Sequence, residues 1–546
     1  MSSTSIDKIT AAGGGGGGLF LRRSTGLVRE ISALDGFLLN TVGLNVGIGA
    51  LFLLLQAQSF FPSGNMVVAS LLGTLIIGFT IVWVYSEFAS AMPRSGGDYV
   101  FTSRVLNPFL GFLLGWNQAF WLIFFWIGFN AWFVFTFAIP TALQVLSAAT
   151  GNSGLASLGN TISQPVWVFI LGTVLNIGFA FLVLTRRYFA WQRITMLFAI
   201  GSLVIIAILL LVNGNNLPAN WDAFVAKAGG LKYGQIIPAA NAAGYQYPHG
   251  GGFDLGATLL MLPWVFFVVG FGATPAQLGG EIKRASKSMW WAIFGAVVAS
   301  GIALALIAWV ASAVVGTEWL GALGAVPSNK LNLPVQPGIN FIGSLLAGGN
   351  VILLLIIGLG FIAWAINGTP ASELQATRYM LAGALDRMIP GALGDVDERL
   401  HSPVKAIVVC TLGGELAILA LSFIPQASLL GALLSQMIAF IIVGVAGIVF
   451  PYRMPAVWQS AGARRIFGLP LITVAGAASV VVLTAMLILF VVNPSINGVF
   501  GVTHTISLIA SASVVVAGAI WYVVATRLNR SRGVDAALLY KTIPPE

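Results

Sequence analysis

Charge is what this chain has least of. Only 8% of its 546 residues are Asp, Glu, Lys or Arg, against about 25% in a soluble globular protein. Apolar residues make up 58%, and mean hydropathy is +0.93, more apolar surface than water-facing cores can hide. That balance excludes a cytosolic enzyme and leaves the bilayer as the solvent. Cysteine is nearly absent: Cys410 stands alone in an apolar run, so no intrachain disulfide is possible and no metal cluster is expected. Histidine is confined to His249, His401 and His504, which fall in loops or near a span end. A membrane-embedded enzyme needs bases clustered at one depth. One mid-membrane acid without an intramembrane histidine does not supply them, and neither a cofactor nor a metal is expected.

Long apolar runs are what the chain has instead. They cover approximately 33–61, 66–92, 108–148, 165–184, 190–212, 253–280, 289–315, 338–369, 404–424, 428–450, 468–492 and 503–526. Each can cross about 30 Å of hydrocarbon as a helix, so the fold class is an all-α polytopic membrane protein with about twelve spans. A sequence pI near 9.8 would suit a nucleic-acid binder, but the placement of the charge says otherwise. Sorted by alternate connections, 23 of the 26 Lys and Arg residues fall on one side, and only Lys227, Lys232 and Lys330 fall on the other. Positive charge marks the cytoplasmic side. The expectation is a plasma-membrane protein with both termini inside, a lipid bilayer as its surroundings and no nucleic-acid partner.

The chain divides into a flexible tail over 1–32 with the glycine run Gly13–Gly18, five spans over 33–212, and an extracytoplasmic connection over 213–252. Five more spans follow over 253–450, then two over 451–526 and a cytoplasmic tail over 527–546. Residues 370–403, which carry Arg378, Asp386, Arg387 and Arg399, read as an amphipathic segment near the membrane surface.

Two runs are interrupted. The first contains Gly43-Leu44-Asn45-Val46-Gly47-Ile48-Gly49, and the sixth contains Gly270-Phe271-Gly272-Ala273-Thr274-Pro275. Pro275 has no N–H for the carbonyl of Phe271, and the glycines make unwound backbone inexpensive. Taken alone, Gly43 and Gly47 form a GxxxG pair that suits close helix packing. The matching break five spans later favours a binding site between inverted repeats, 1–5 and 6–10, because unwound backbone at membrane depth is tolerated where it lines a cavity.

Further motifs resemble the amino acid–polyamine–organocation superfamily. They are Tyr85-Ser86-Glu87-Phe88 followed by Pro93-Arg94-Ser95-Gly96-Gly97-Asp98-Tyr99, then Glu281-Ile282-Lys283, then Ala376-Thr377-Arg378-Tyr379-Met380 leading to Asp386 and Pro390, and His401-Ser402-Pro403-Val404. The resemblance runs over roughly 27–525. It implies a LeuT-like five-plus-five inverted repeat with two peripheral helices, and transport of a small zwitterion, foremost a neutral amino acid, by ion-coupled alternating access. An exchanger, a carrier of polyamines or other organocations, or a transporter-like nutrient sensor are the alternatives. Where the family commonly has Gly-(Ser/Thr)-Gly-Ile-Phe, this chain has Gly47-Ile48-Gly49-Ala50-Leu51, and near Ser202 it lacks the lysine some relatives carry.

On that resemblance, Val42, Gly43, Asn45, Val46, Gly47, Ile48, Gly49 and Ala50 would form one half of the substrate site, with N–H groups at 47–50 facing a carboxylate. Phe267, Gly270, Phe271, Gly272 and Ala273 would form the other half, offering carbonyls to an ammonium. Trp121, Phe124, Phe125 and Trp126 of the third span are candidates for side-chain selectivity. Glu415, ten residues past Lys405 and so about 15 Å along a helix, is a candidate proton carrier or else a hydrogen-bonded acid between helices. Thr369 and Ser372 are candidate sodium ligands or ordinary packing residues. Glu87 is expected to pair with a basic loop residue and latch the cytoplasmic gate, and Arg193 to snorkel. Apart from Glu415 no acid is placed to neutralise a cation, which favours a neutral substrate.

Overall fold

The computed structural model describes residues 26–250 and 253–543. Most of the tail expected over 1–32, including Gly13–Gly18, therefore lies outside the described residues. Twelve described helical stretches are long and apolar enough to cross a membrane: Ala33–Ala50, Met66–Ala91, Pro108–Thr150, Pro165–Leu184, Tyr188–Ala228 and Leu255–Gln277, then Ala285–Val314, Val351–Leu385, Val404–Phe423, Pro425–Arg453, Leu471–Val492 and Thr505–Ser531. They are spans 1 to 12 below. The strands among the described residues are one two-residue pair, Arg465–Ile466 against Leu469–Pro470. The protein is an all-α polytopic membrane protein.

Local chemistry starts several of these helices. Ser32 and Asp35 form a reciprocal capping box at the head of span 1. Asn65 accepts from Val67 N–H and Val68 N–H at span 2, and Asn107 caps span 3 just before Pro108. The outer surface inverts the pattern of a soluble protein, as Leu197, Val212 and Trp291 are each more than 70% exposed. Such side chains belong against lipid. Polar groups turn inward instead, where each needs a partner.

Two expectations about span 8 are corrected. The apolar run over 338–369 is not one helix: Ile339–Leu346 is separate, and span 8 begins at Val351. Residues 370–385 do not lie on the membrane surface. They belong to the helix Gly368–Leu385, almost wholly buried and continuous with span 8. The sequence misleads because Glu373 and Arg378 look solvent-bound, whereas the neighbouring Ala371, Leu374, Ala376 and Leu381 want burial and Arg378 finds a buried acid. The connection over 213–252 is also more ordered than its composition suggests, with helices Leu217–Ala228 and Ile236–Ala242.

Candidate functional site

Span 1 breaks at one residue. Its first half, Ala33–Leu44, ends at Asn45, whose backbone is left-handed at φ 46° and ψ 57°, a conformation open to asparagine more than to most side chains. Asn45 closes one helix and opens the next. Its N–H donates to Thr41 O, its side-chain oxygen accepts from Ile48 N–H at 3.2 Å, and its amide donates to Trp364 O at 3.3 Å. Gly49 N–H donates to Asn45 O. Of the donors foreseen at 47–50, those of Ile48 and Gly49 are thus already used. Among the described residues, Val46 N–H and Gly47 N–H have no backbone acceptor, and the carbonyls of Val42, Gly43 and Leu44 have no backbone donor.

Span 6 breaks differently. The helix Leu262–Val269 gives way to a turn over 270–273 before the short helix Thr274–Gln277. Hydrogen bonds beyond the turn close tighter loops, from Ala276 N–H to Ala273 O and from Leu278 N–H to Pro275 O. Proline accounts for that change of pitch.

The two breaks meet. A Cβ on Gly43 would lie 2.8 Å from Thr274 Oγ1, so only glycine allows this approach. Asn40, a turn before the first break, donates to Gly272 O at 3.1 Å within the second. Between the breaks and spans 2, 3, 8 and 10 lies a cavity of about 230 Å³. None of its described lining residues is charged. Rings come from Trp126, Phe129, Phe133, Phe267, Phe271 and Phe440, and amides from Asn45, Gln118, Asn130, Gln277, Gln375 and Gln436.

Of the residues expected at the site, Val42, Gly43, Asn45, Ile48, Gly49, Phe267, Phe271, Ala273 and Ser372 line this cavity. Val46, Gly47, Ala50, Gly270, Gly272, Trp121 and Thr369 do not. Gly47 instead faces Trp364, where a Cβ would come within 2.2 Å of the indole. Trp121 is packed against Phe120 and Phe125, with its indole N–H on Asn117. Phe125 is likewise buried, and Phe124 is 40% exposed on the outer surface. Thr369 Oγ1 donates to Ile127 O of span 3, and Ser202 is buried with its hydroxyl on Ala199 O. Glu415 lies between spans 9 and 4, accepting from Thr173 Oγ1 at 2.6 Å and Asn176 Nδ2 at 2.9 Å.

Two pairings differ from expectation. Glu87 has indoles for partners rather than a basic residue, accepting from Trp83 Nε1 and Trp458 Nε1. Arg193 does not merely snorkel, because its guanidinium forks onto Asp35 at 2.6 and 2.7 Å. Several buried acids went unforeseen, which corrects the view that Glu415 stands alone. Asp98 accepts from Tyr85 OH at 2.7 Å and from Tyr379 OH, and both tyrosines line the cavity floor. Burial pushes its carboxyl up from the usual Asp range, against the hydrogen bonds from Tyr379 and Tyr85. Glu281 takes a forked bond from Arg378 at 2.7 and 2.9 Å, and Asp386 takes another from Arg104, with Tyr99 OH as a third donor. Glu373 is fully buried. The signal for Asp98, Glu281 and Asp386 was present in the motifs around 85–99, 281–283 and 376–386, and Glu373 lies in none of them; nothing in spacing alone says that loop charges fold inward.

The floor residues Tyr85, Gln277 and Tyr379 are at most 5% exposed, whereas Ile48, Phe129, Asn130 and Phe267 are half-buried. The cavity is therefore sealed more tightly toward the basic loops than toward the other side.

Comparison with known proteins agrees with this architecture. The sequence pattern of the family described as amino acid permease matches residues 36–533. The methylthioribose transporter of Bacillus subtilis (strain 168) is 23% identical over 80% of this chain and 84% of its own length. The branched-chain amino acid permease BcaP of the same organism is 22% identical over 79% and 82%. Cationic amino acid transporter 4 of Mus musculus is 29% identical over 36% of this chain and 31% of its own.

Proposed function

The chain belongs to the amino acid permease family, and from that premise we propose that it is a secondary active permease for a small zwitterion with an uncharged side chain, foremost a neutral amino acid. As a family member it is a multi-pass membrane transporter of the amino acid–polyamine–organocation type. In the proposed reading it works by alternating access between two inverted five-helix repeats, driven by a proton or sodium gradient, in the plasma membrane with both termini cytoplasmic.

One observation carries the reading: two helix breaks abut on a single uncharged cavity. The start of the half-helix Val46–Leu51, which meets the cavity at Asn45, Ile48 and Gly49, carries partial positive charge and suits a carboxylate. The unpaired carbonyls at Val42, Gly43 and Leu44 suit an ammonium. A neutral side chain then faces Trp126, Phe129, Phe271 and Phe440 without an unpaired charge to desolvate. Two of the relatives aligned over most of this chain are named for methylthioribose and branched-chain amino acids, and neither solute has a charged side group.

The test is uptake of labelled amino acids into proteoliposomes holding the purified full chain. Neutral amino acids are expected to accumulate and to compete with one another, while arginine, lysine and putrescine fail to compete. Uptake restricted to the cationic solutes would overturn the substrate class. Saturable binding without any uptake would make the protein a sensor.

A further inference from the structure

Glu373 sits near the middle of the helix Gly368–Leu385 and is wholly buried, on the face turned away from the cavity that Ser372 and Gln375 line. Its carboxyl has one hydrogen-bond partner, Thr411 Oγ1 at 3.2 Å, and its other oxygen, Oε2, has none. Proton accounting decides the state of this pair. A threonine hydroxyl has one hydrogen to give, and Thr411 Oγ1 also lies 2.8 Å from Ile407 O. With that hydrogen on the shorter bond, the contact to Glu373 needs a hydrogen from the carboxyl. An unpaired carboxylate at such a place is costly, which favours Glu373 as a neutral acid in this conformation.

The charges around it are otherwise engaged. On the same helix Arg378 gives Nε and Nη2 to Glu281 and Nη1 to Thr377 Oγ1. From span 9 the buried thiol of Cys410 lies nearby, and Glu415 is held by Thr173 and Asn176. Asp98, before span 3, is held by two tyrosines, and Asp35 of span 1 by Arg193. Spans 3 and 4, which also pack on this helix, contain no charged residue.

Arg378 stands five residues beyond Glu373, about 7.5 Å of helical rise and about 140° around the helix, close enough for its charge to act on the Glu373 carboxyl. Its partner Glu281 belongs to the segment that follows span 6, so the pair bolts that segment to span 8 at the basic end. We propose that Glu373 is the proton site of the transport cycle: it holds a proton while this bolt is shut, and releases it to entering water when the gate opens and the Arg378 guanidinium passes from Glu281 to the Glu373 carboxylate. The proposal rests on the permease reading and adds the coupling ion and its exchange partner. One proton leaves, Glu373 gains one negative charge, and Arg378 exchanges one carboxylate for another.

The experiment compares the full-length protein with Glu373→Gln, Glu373→Asp and Glu415→Gln in proteoliposomes. Gradient-driven accumulation and gradient-free counterflow of a neutral amino acid are both measured. In Glu373→Gln, which offers Arg378 no carboxylate, accumulation and counterflow are both expected to fall at least about tenfold. Glu373→Asp should recover part of the accumulation, and Glu415→Gln should retain it. Infrared difference spectra of the purified protein should show a protonated-carboxyl band that Glu373→Gln removes. Unchanged accumulation in Glu373→Gln, or no such band, overturns the proposal. A wild type that carries solute without responding to a proton gradient also overturns it and leaves the permease reading standing. A wild type that moves no solute under any gradient removes the permease reading and this role with it.

Discussion

The two ends of the central cavity are closed by different chemistry. Toward the basic loops, forked ion pairs join Arg378 to Glu281 and Arg104 to Asp386, and Asp98 draws Tyr85 and Tyr379 together. Toward the opposite side, rings succeed one another from Phe440 to Phe271 at 5.9 Å, then Phe267 at 6.2 Å and Phe500 at 5.4 Å. Buried charges hold only with one partner in one geometry, and removing that partner costs several kcal/mol. Aromatic pairs contribute about 0.5–1.5 kcal/mol each beyond area and tolerate several offsets. The basic end is thus held by paired charges of fixed geometry, and the opposite end by ring contacts that tolerate displacement.

The largest effect should come from breaking the bolt. Glu281→Gln leaves the Arg378 guanidinium buried with half its partner and is expected to destabilise the shut state by about 3–5 kcal/mol. A cysteine label at a floor position should become reactive from the basic side in this variant. If the label stays protected and melting is unchanged, the ion pair is not what closes this end. Replacing both partners, as Glu281→Gln with Arg378→Met, should recover part of the loss, because no lone buried charge remains.

A smaller effect is expected from the ring end. Phe271 stands inside the second break, between Phe267 and Phe440. Phe271→Ala should weaken substrate binding by about 1–3 kcal/mol through lost apolar contact while leaving the basic-side label protected. A calorimetric titration that finds full affinity would remove the ring from the substrate's surroundings. Exposure of the floor label would show the two ends to be one device.

The contrast also explains what could be read in advance. Composition and charge placement were enough for a helical membrane protein, and glycine and proline marked both interruptions. The first break nevertheless turns at Asn45, not at a glycine, because its side chain can cap the helix it begins. Gly47 is small for another reason, as the Trp364 indole occupies the space where a Cβ would go. Apolar periodicity located the rings but could not rank them, so buried Trp121 and cavity-lining Trp126 looked alike. The basic end was least legible. A forked ion pair such as Arg378 with Glu281 joins residues 97 positions apart, and no local pattern announces it. Charges there read as loop residues until the chain is folded.

Asp98 supplies the finest test of the distinction, because it is a bolt residue without a cation. Burial raises its carboxyl above the ordinary Asp range, so the folded chain binds that proton more tightly than the unfolded chain does. Its stabilising share is then complete below the ordinary Asp range and is lost as pH rises through the raised value. Asp98→Asn keeps a neutral side chain at the junction of Tyr85 and Tyr379 and should flatten that part of the pH dependence. Melting temperature followed between acid and neutral pH in detergent reads the difference directly. Parallel profiles for wild type and variant would mean that Asp98 titrates like an open surface acid, and the floor would then be closed by the forked arginines alone.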